Sequence, residues 1–223
     1  METVIHSERN TEHNNENKIY NLAFGLAIFT IVYNLAEGII ATWFGYNDET
    51  IALFGFGVDS FIEMISGFGI LVMILRIKSH PHSPRGDFEV TALRITGYSF
   101  YFLVGGLVLS AIATAWLGIK PDTTFWGVVV SVISIVVMLF LIWGKIYTGK
   151  KLRSDAIIAD ANCTKVCIYM SCVLLASSGI YYLTNFAYAD TLGTLGLAWF
   201  SYEEGKECFE KAENKECSHG HKH

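Results

Sequence analysis

Two short stretches carry side chains that could do chemistry: VDSFIE at 58–63 and ADANCTKVC at 159–167. In the first, Asp59 and Glu63 stand four residues apart, which puts both carboxylates on one face of a helix. Carboxylates that close repel each other unless a cation lies between them or a proton is retained. In the second, Asp160, Cys163 and Cys167 recur at spacings of three and four and form a stripe of their own. Thiolates and carboxylates are both metal ligands. A set made of Asp59, Glu63, Cys163 and Cys167 suits tetrahedral Zn²⁺ or the softer Cd²⁺ better than Mg²⁺ or Ca²⁺, which prefer all-oxygen shells. Lys165 lies about 200° round the helix from Cys163 at about 100° per residue, so it is expected to point away and pair elsewhere. Cys172, taken alone, reads as a small buried hydrophobe.

Further polar residues extend the list. Asn34 and Glu37, three apart in YNLAEG, either continue an ion or proton pathway or make a structural hydrogen bond. Asp190 reads as an acid favouring the start of a helix. The ending CSHGHKH sets Cys217 beside His219, His221 and His223, either a loose capture site for Zn²⁺, Ni²⁺ or Cu²⁺ or a charged disordered tail. All 7 histidines fall outside the apolar segments. With no histidine to act as a base there and no serine-hydrolase motif, neither catalysis nor a prosthetic group is expected.

These groups matter because of where the chain puts them. Of 223 residues, 52% are hydrophobic and 17% charged, more apolar than an average soluble domain. The apolar residues gather into runs near 19–45, 51–75, 93–118, 124–147, 155–184 and 189–204, and about 20 such residues span a bilayer as a helix. The expected architecture is an all-α membrane protein: a disordered cytoplasmic arm over 1–18 without the pattern of a secretory signal, six transmembrane helices over 19–204, and a Cys/His-containing cytoplasmic tail over 205–223. An ionisable side chain inside such a span costs about 2.5–3.5 kcal/mol on insertion scales, which makes Asp59, Glu63 and Asp160 functional candidates.

Basic residues alternate between the connections. Arg76, Lys78, Arg85 and Arg94 flank the second connection and Lys145, Lys150, Lys151 and Arg153 the fourth, whereas GYNDET and NFAYAD carry none and the third connection only Lys120. The positive-inside rule then places both termini in the cytoplasm. Cys163, Cys167, Cys172, Cys208 and Cys217 all fall in membrane or cytoplasmic positions, so free thiols or ligands are expected rather than disulfides.

From Tyr20 to about Ala212 the chain resembles the cation diffusion facilitator family of metal/proton antiporters. VDSFIE looks like the family's metal-binding pair of acids, which gives Asp59 and Glu63 the role of ligands. Ala159–Cys167 looks like the family's Ala-Asp motif, with Cys163 and Cys167 at positions where the family has His and Asp. The segment ADTLGTLGLAWFSYEEGKECFEKA is similar to the family's sixth helix. The resemblance implies a cation-efflux transmembrane domain that exports a divalent metal ion in exchange for protons. It implies a short form without the family's cytoplasmic ferredoxin-like domain, which would form a homodimer through its membrane helices or tail. The expected setting is the plasma or inner membrane, with metal, protons and lipid as partners and no nucleic acid. The competing expectation is a non-transporting membrane metal sensor or scaffold.

Overall fold

The computed structural model describes residues 2–47, 51–80, 85–117, 125–184 and 188–220. Six helices follow in order: α1 (Glu2–Asn47), α2 (Ile51–Ser79), α3 (Arg85–Leu117), α4 (Phe125–Leu152), α5 (Asp155–Thr184) and α6 (Ala189–Gly220). The chain's 3 prolines, Pro81, Pro84 and Pro121, all lie between helices, so none removes a backbone donor inside a span. Among the described residues, five helices contain a stretch long and apolar enough to cross a membrane, one in each of α1 to α5. The sixth keeps its apolar residues in its first half and turns charged after Trp199 and Phe200.

α1 begins at Glu2, so helix runs through the segment expected to be a disordered arm. Residues 2–18 are polar but contain no proline or glycine to stop a helix growing back from the apolar run. At the other end, α6 continues to Gly220, and much of 205–223 is docked helix. Phe209 stacks on Tyr101 at 5.4 Å and meets Tyr98 edge-on at 5.1 Å. Arg94 pairs with Glu216 at 2.8 Å, while Lys215 reaches Glu89 and also Asp155 at 3.0 Å. Burial pulls the Lys215 ammonium down, but hydrogen bonds to Glu89 and Asp155 outweigh it and raise its pKa above the ordinary lysine value. On the lysine side the tie to α3 and α5 is therefore fully present below that ordinary value and is lost only as the pH rises into strong alkali.

Packing partners explain the placement of the polar groups. α1 pairs with α2, α3 with α6 and α4 with α5, while α2 also contacts α3 and α5. α2 and α5 thus stand in the middle. The polarity is inverted relative to a soluble bundle: Asn34, Asp59, Glu63, Asp160 and Thr164 are buried, while Val32, Ile39, Phe102, Leu109 and Val136 face outward. Trp43, Tyr46, Trp116 and Tyr182 are exposed near the ends of α1, α3 and α5, at the face away from the chain ends, as an interfacial aromatic belt.

The α4–α5 joint fixes a register that matters below. Arg153 takes a left-handed φ of 51°, its N–H bonds Lys150 O, and the Ser154 N–H bonds Gly149 O at 3.0 Å. This is the glycine-type helix end formed with an arginine. Ser154 then caps α5 by accepting from the Ile157 N–H. A side chain in the left-handed region costs about 1–2 kcal/mol, partly offset by the extra freedom a glycine loses on folding. Arg153→Gly is therefore expected to stabilise the protein by about 0.5–1 kcal/mol, read as a higher thermal midpoint in detergent.

Candidate functional site

α2 and α5 run antiparallel through the centre, and three contacts step along them in opposite directions. The Cys167 thiol donates to Asp59 Oδ2 at 2.9 Å, the Thr164 hydroxyl donates to Glu63 Oε1, and the Ser66 hydroxyl donates to Asp160 Oδ1 at 2.8 Å. Every one of these side chains is at most 3% exposed. Asp59 and Glu63 thus do share a buried face, and it is turned toward the Asp160–Cys167 stripe. Of the two cysteines it is Cys167, one helical turn beyond Cys163, that meets Asp59.

Cys163 is buried within the apolar cluster that also holds Val166 and Ala159, and the charges of Glu63, Asp59, Asp160 and Lys145 act on it. Among the described residues, no three His, Cys, Asp or Glu side chains form a group that could hold an ion as they stand. Of the four expected donors, Asp59 and Cys167 are bonded to each other and Glu63 to Thr164, while Cys163 lies in the adjoining apolar cluster.

The residue that sequence reasoning misplaced is Lys145. Its position just before a Lys/Arg cluster made it look like part of a basic loop, but α4 continues to Leu152 and leaves it 2% exposed. Its ammonium lies 2.9 Å from Asp160 Oδ2, donates to Thr164 Oγ1 at 2.7 Å, and stands 3.6 Å from Glu63 Oε1. A signal for this was present. Ser131, Ser134, Met138, Leu141, Lys145 and Thr148 alternate at spacings of three and four, the buried stripe of α4. Lys165 behaves as expected and turns aside: it donates to Asn162 Oδ1 at 2.7 Å, and Asn162 donates to Glu204 at 2.6 Å.

A second polar group adjoins the layer on the α1 side. Glu37 accepts from the Tyr33 hydroxyl at 2.9 Å and from Ser60 at 3.0 Å, so α1 is tied to the residue next to Asp59. Asn34, one turn away, is wholly buried with neither side-chain atom hydrogen-bonded. Glu63 Oε2 is likewise buried without a partner. The side chains of Asp190, Cys217 and His219, and all of His221 and His223, lie outside the described residues. Cys208 in α6 is buried, and burial pushes its thiol up to about 12, so it stays protonated and is a poor ligand.

A cavity of about 230 Å³ reaches the layer between α2, α3, α5 and α6. Its lining includes Phe54, near the start of α2, Val58, Leu107 and Met170, and Asp59 is the one charged residue among its described lining. A buried carboxylate facing an otherwise largely apolar cavity is a functional candidate that favours a cation over an anion.

The family profile of the cation efflux transmembrane domain matches residues 27–205. An uncharacterized transporter of Methanocaldococcus jannaschii is 28% identical over 165 residues, which cover 70% of this chain and 58% of that protein. The chain thus spans a little over half the length of this curated relative. The match takes in α1 from its buried polar stripe onward, all of α2 to α5 and the first half of α6, so the Asp59, Glu63 and Asp160–Cys167 groups lie wholly inside it. On that match, carried by the helices that build the buried polar layer, the chain belongs to the cation efflux transmembrane domain family.

Proposed function

We propose that the chain is a secondary transporter that exports a divalent transition or heavy metal ion, Zn²⁺ or Cd²⁺ in character, from the cytoplasm in exchange for protons. The single observation that carries this reading is the buried Asp59–Cys167 pair, with Asp59 lining the cavity and Glu63 one turn along α2. A thiol and carboxylates favour a soft or borderline divalent ion over Mg²⁺ or Ca²⁺. The same groups bind metal only when deprotonated, so ion and protons compete for them, which is the chemistry exchange requires. Glu37, with Tyr33 and Ser60 around it and Asn34 beside it, provides a second carboxylate for protons to visit. With both chain ends cytoplasmic, in a plasma or inner membrane, the cavity between α2 and α3 would face outward and serve release. A homodimer in the membrane is part of the same reading.

The test is flux in proteoliposomes holding a metal-sensitive dye. Cd²⁺ and Zn²⁺ are expected to enter faster when the lumen is acidic, and Mg²⁺ and Ca²⁺ not to enter. Equal uptake with and without the pH gradient would remove proton exchange. Binding without any flux would favour the sensor or scaffold instead.

A further inference from the structure

We infer that Lys145 is a tethered cation that shares Glu63 with the transported ion and thereby sets how tightly that ion is held; the inference rests on the transporter reading above. The ammonium is unequally bound. It sits 2.9 Å from Asp160 Oδ2 and 2.7 Å from Thr164 Oγ1, but 3.6 Å from Glu63 Oε1. Asp160 is itself fixed by the Ser66 hydroxyl at 2.8 Å, and Ser66 by Thr96 at 3.0 Å, so the anchor end is braced by α2 and α3.

Glu63 is correspondingly divided. Its Oε1 takes the Thr164 hydroxyl and faces Lys145, whereas its Oε2 is buried with no partner. A buried carboxylate oxygen left unpaired is costly, and an incoming divalent ion satisfies it. Lys145 keeps its counter-charge in Asp160 when Glu63 turns toward the ion, so it need not leave the layer. Its positive charge then stays within a few ångströms of the bound ion in a medium where such repulsion is weakly screened. The consequence is an ion held loosely enough to be released. Glu63 is thus the exchangeable partner of two cations, one covalently attached to α4 and one transported.

The experiment uses the full chain in detergent and in proteoliposomes, with Cd²⁺ alone as the probe, comparing wild type with Lys145→Met and Lys145→Arg. Equilibrium binding is read from the ultraviolet absorption of the Cd²⁺–thiolate bond, and flux from initial uptake rates. Lys145→Met is expected to bind Cd²⁺ about tenfold or more tightly and to lose a similar factor in maximal rate, with a lower KM. Lys145→Arg, which keeps the charge, is expected to bring the dissociation constant back toward wild type. A purely structural lysine would lower the rate while leaving affinity the same or weaker, and that result overturns the inference. Should Lys145→Met be recovered unfolded, the double variant Lys145→Met/Asp160→Asn removes both charges of the anchor pair and is judged by the same shift in affinity. Wild-type protein that neither binds nor moves Cd²⁺ would instead refute the transporter reading itself.

Discussion

Asp59→Ala is expected to lower Cd²⁺ flux by about 100-fold or more while leaving the protein as stable as wild type, or more so. Loss of groups that merely support a metal ligand costs 10–100-fold, and removal of a ligand belongs at or beyond the upper end. Stability moves the other way for a physical reason. Asp59 is 3% exposed and its hydrogen-bond partner is the Cys167 thiol, a weak donor that loses little when left alone. Replacing a buried carboxylate by a methyl group removes its desolvation penalty. Glu63→Ala sets the useful contrast. It too removes a proposed ligand, but it takes a carboxylate acceptor from the Thr164 hydroxyl, which keeps the Asp160 carbonyl, and leaves Lys145 with Asp160 as its one carboxylate beside Thr164. Breaking a buried ion pair from one side costs about 3–5 kcal/mol, and since Asp160 remains, the loss here should fall below that range. Initial uptake rates and thermal midpoints of the two purified variants check both halves. Normal flux through Asp59→Ala would remove the proposed site.

That pairing of effects also explains how much of the site was legible in the sequence. Asp59, Glu63, Cys163 and Cys167 could be picked out as candidates directly, because an acid or a thiol at helical spacing inside a long apolar run has few uses other than binding or structure. The family assignment followed from the same residues. Lys145 was hidden by its surroundings: a lysine five residues before Lys150 and Lys151 looks like a loop charge until the extent of α4 is known. Register was hidden as well. The depth at which α5 meets α2 depends on where each helix starts and on the tight Arg153–Ser154 joint, and hydropathy places boundaries only within a few residues. The helical arm at residues 2–18 was missed for a related reason, since a polar composition argues against a packed core but does not by itself stop a helix.

The close approach of α1 and α2 supports the second large effect. A Cβ on Gly57 would strike the Thr42 hydroxyl and lie 2.6 Å from the Thr42 backbone nitrogen, and a Cβ on Gly45 would strike the Phe54 nitrogen and lie 2.7 Å from its Cα. These obstacles are backbone or are held against backbone, so no rotamer change relieves them. Small residues at such crossings let helices in a membrane pack by direct backbone contact, where lipid offers no hydrophobic force to push them together. Overpacking a well-filled core costs about 1–3 kcal/mol when side chains can yield, and Gly57→Leu should exceed that range because the helices themselves must part. The consequence reaches the site, for Gly57 lies two residues before Asp59, and the Ser60–Glu37 bond spans the same crossing. Gly57→Leu is therefore expected to give little monodisperse protein, a lower melting temperature and no flux. Gly25→Ala on α1, where an added Cβ meets nothing within 4 Å, should behave as wild type or gain about 0.5–1 kcal/mol from better helix propensity. Equal thermal midpoints for Gly57→Leu and wild type would mean that α1 and α2 do not cross this closely, and that Glu37 is not held against the residue beside Asp59.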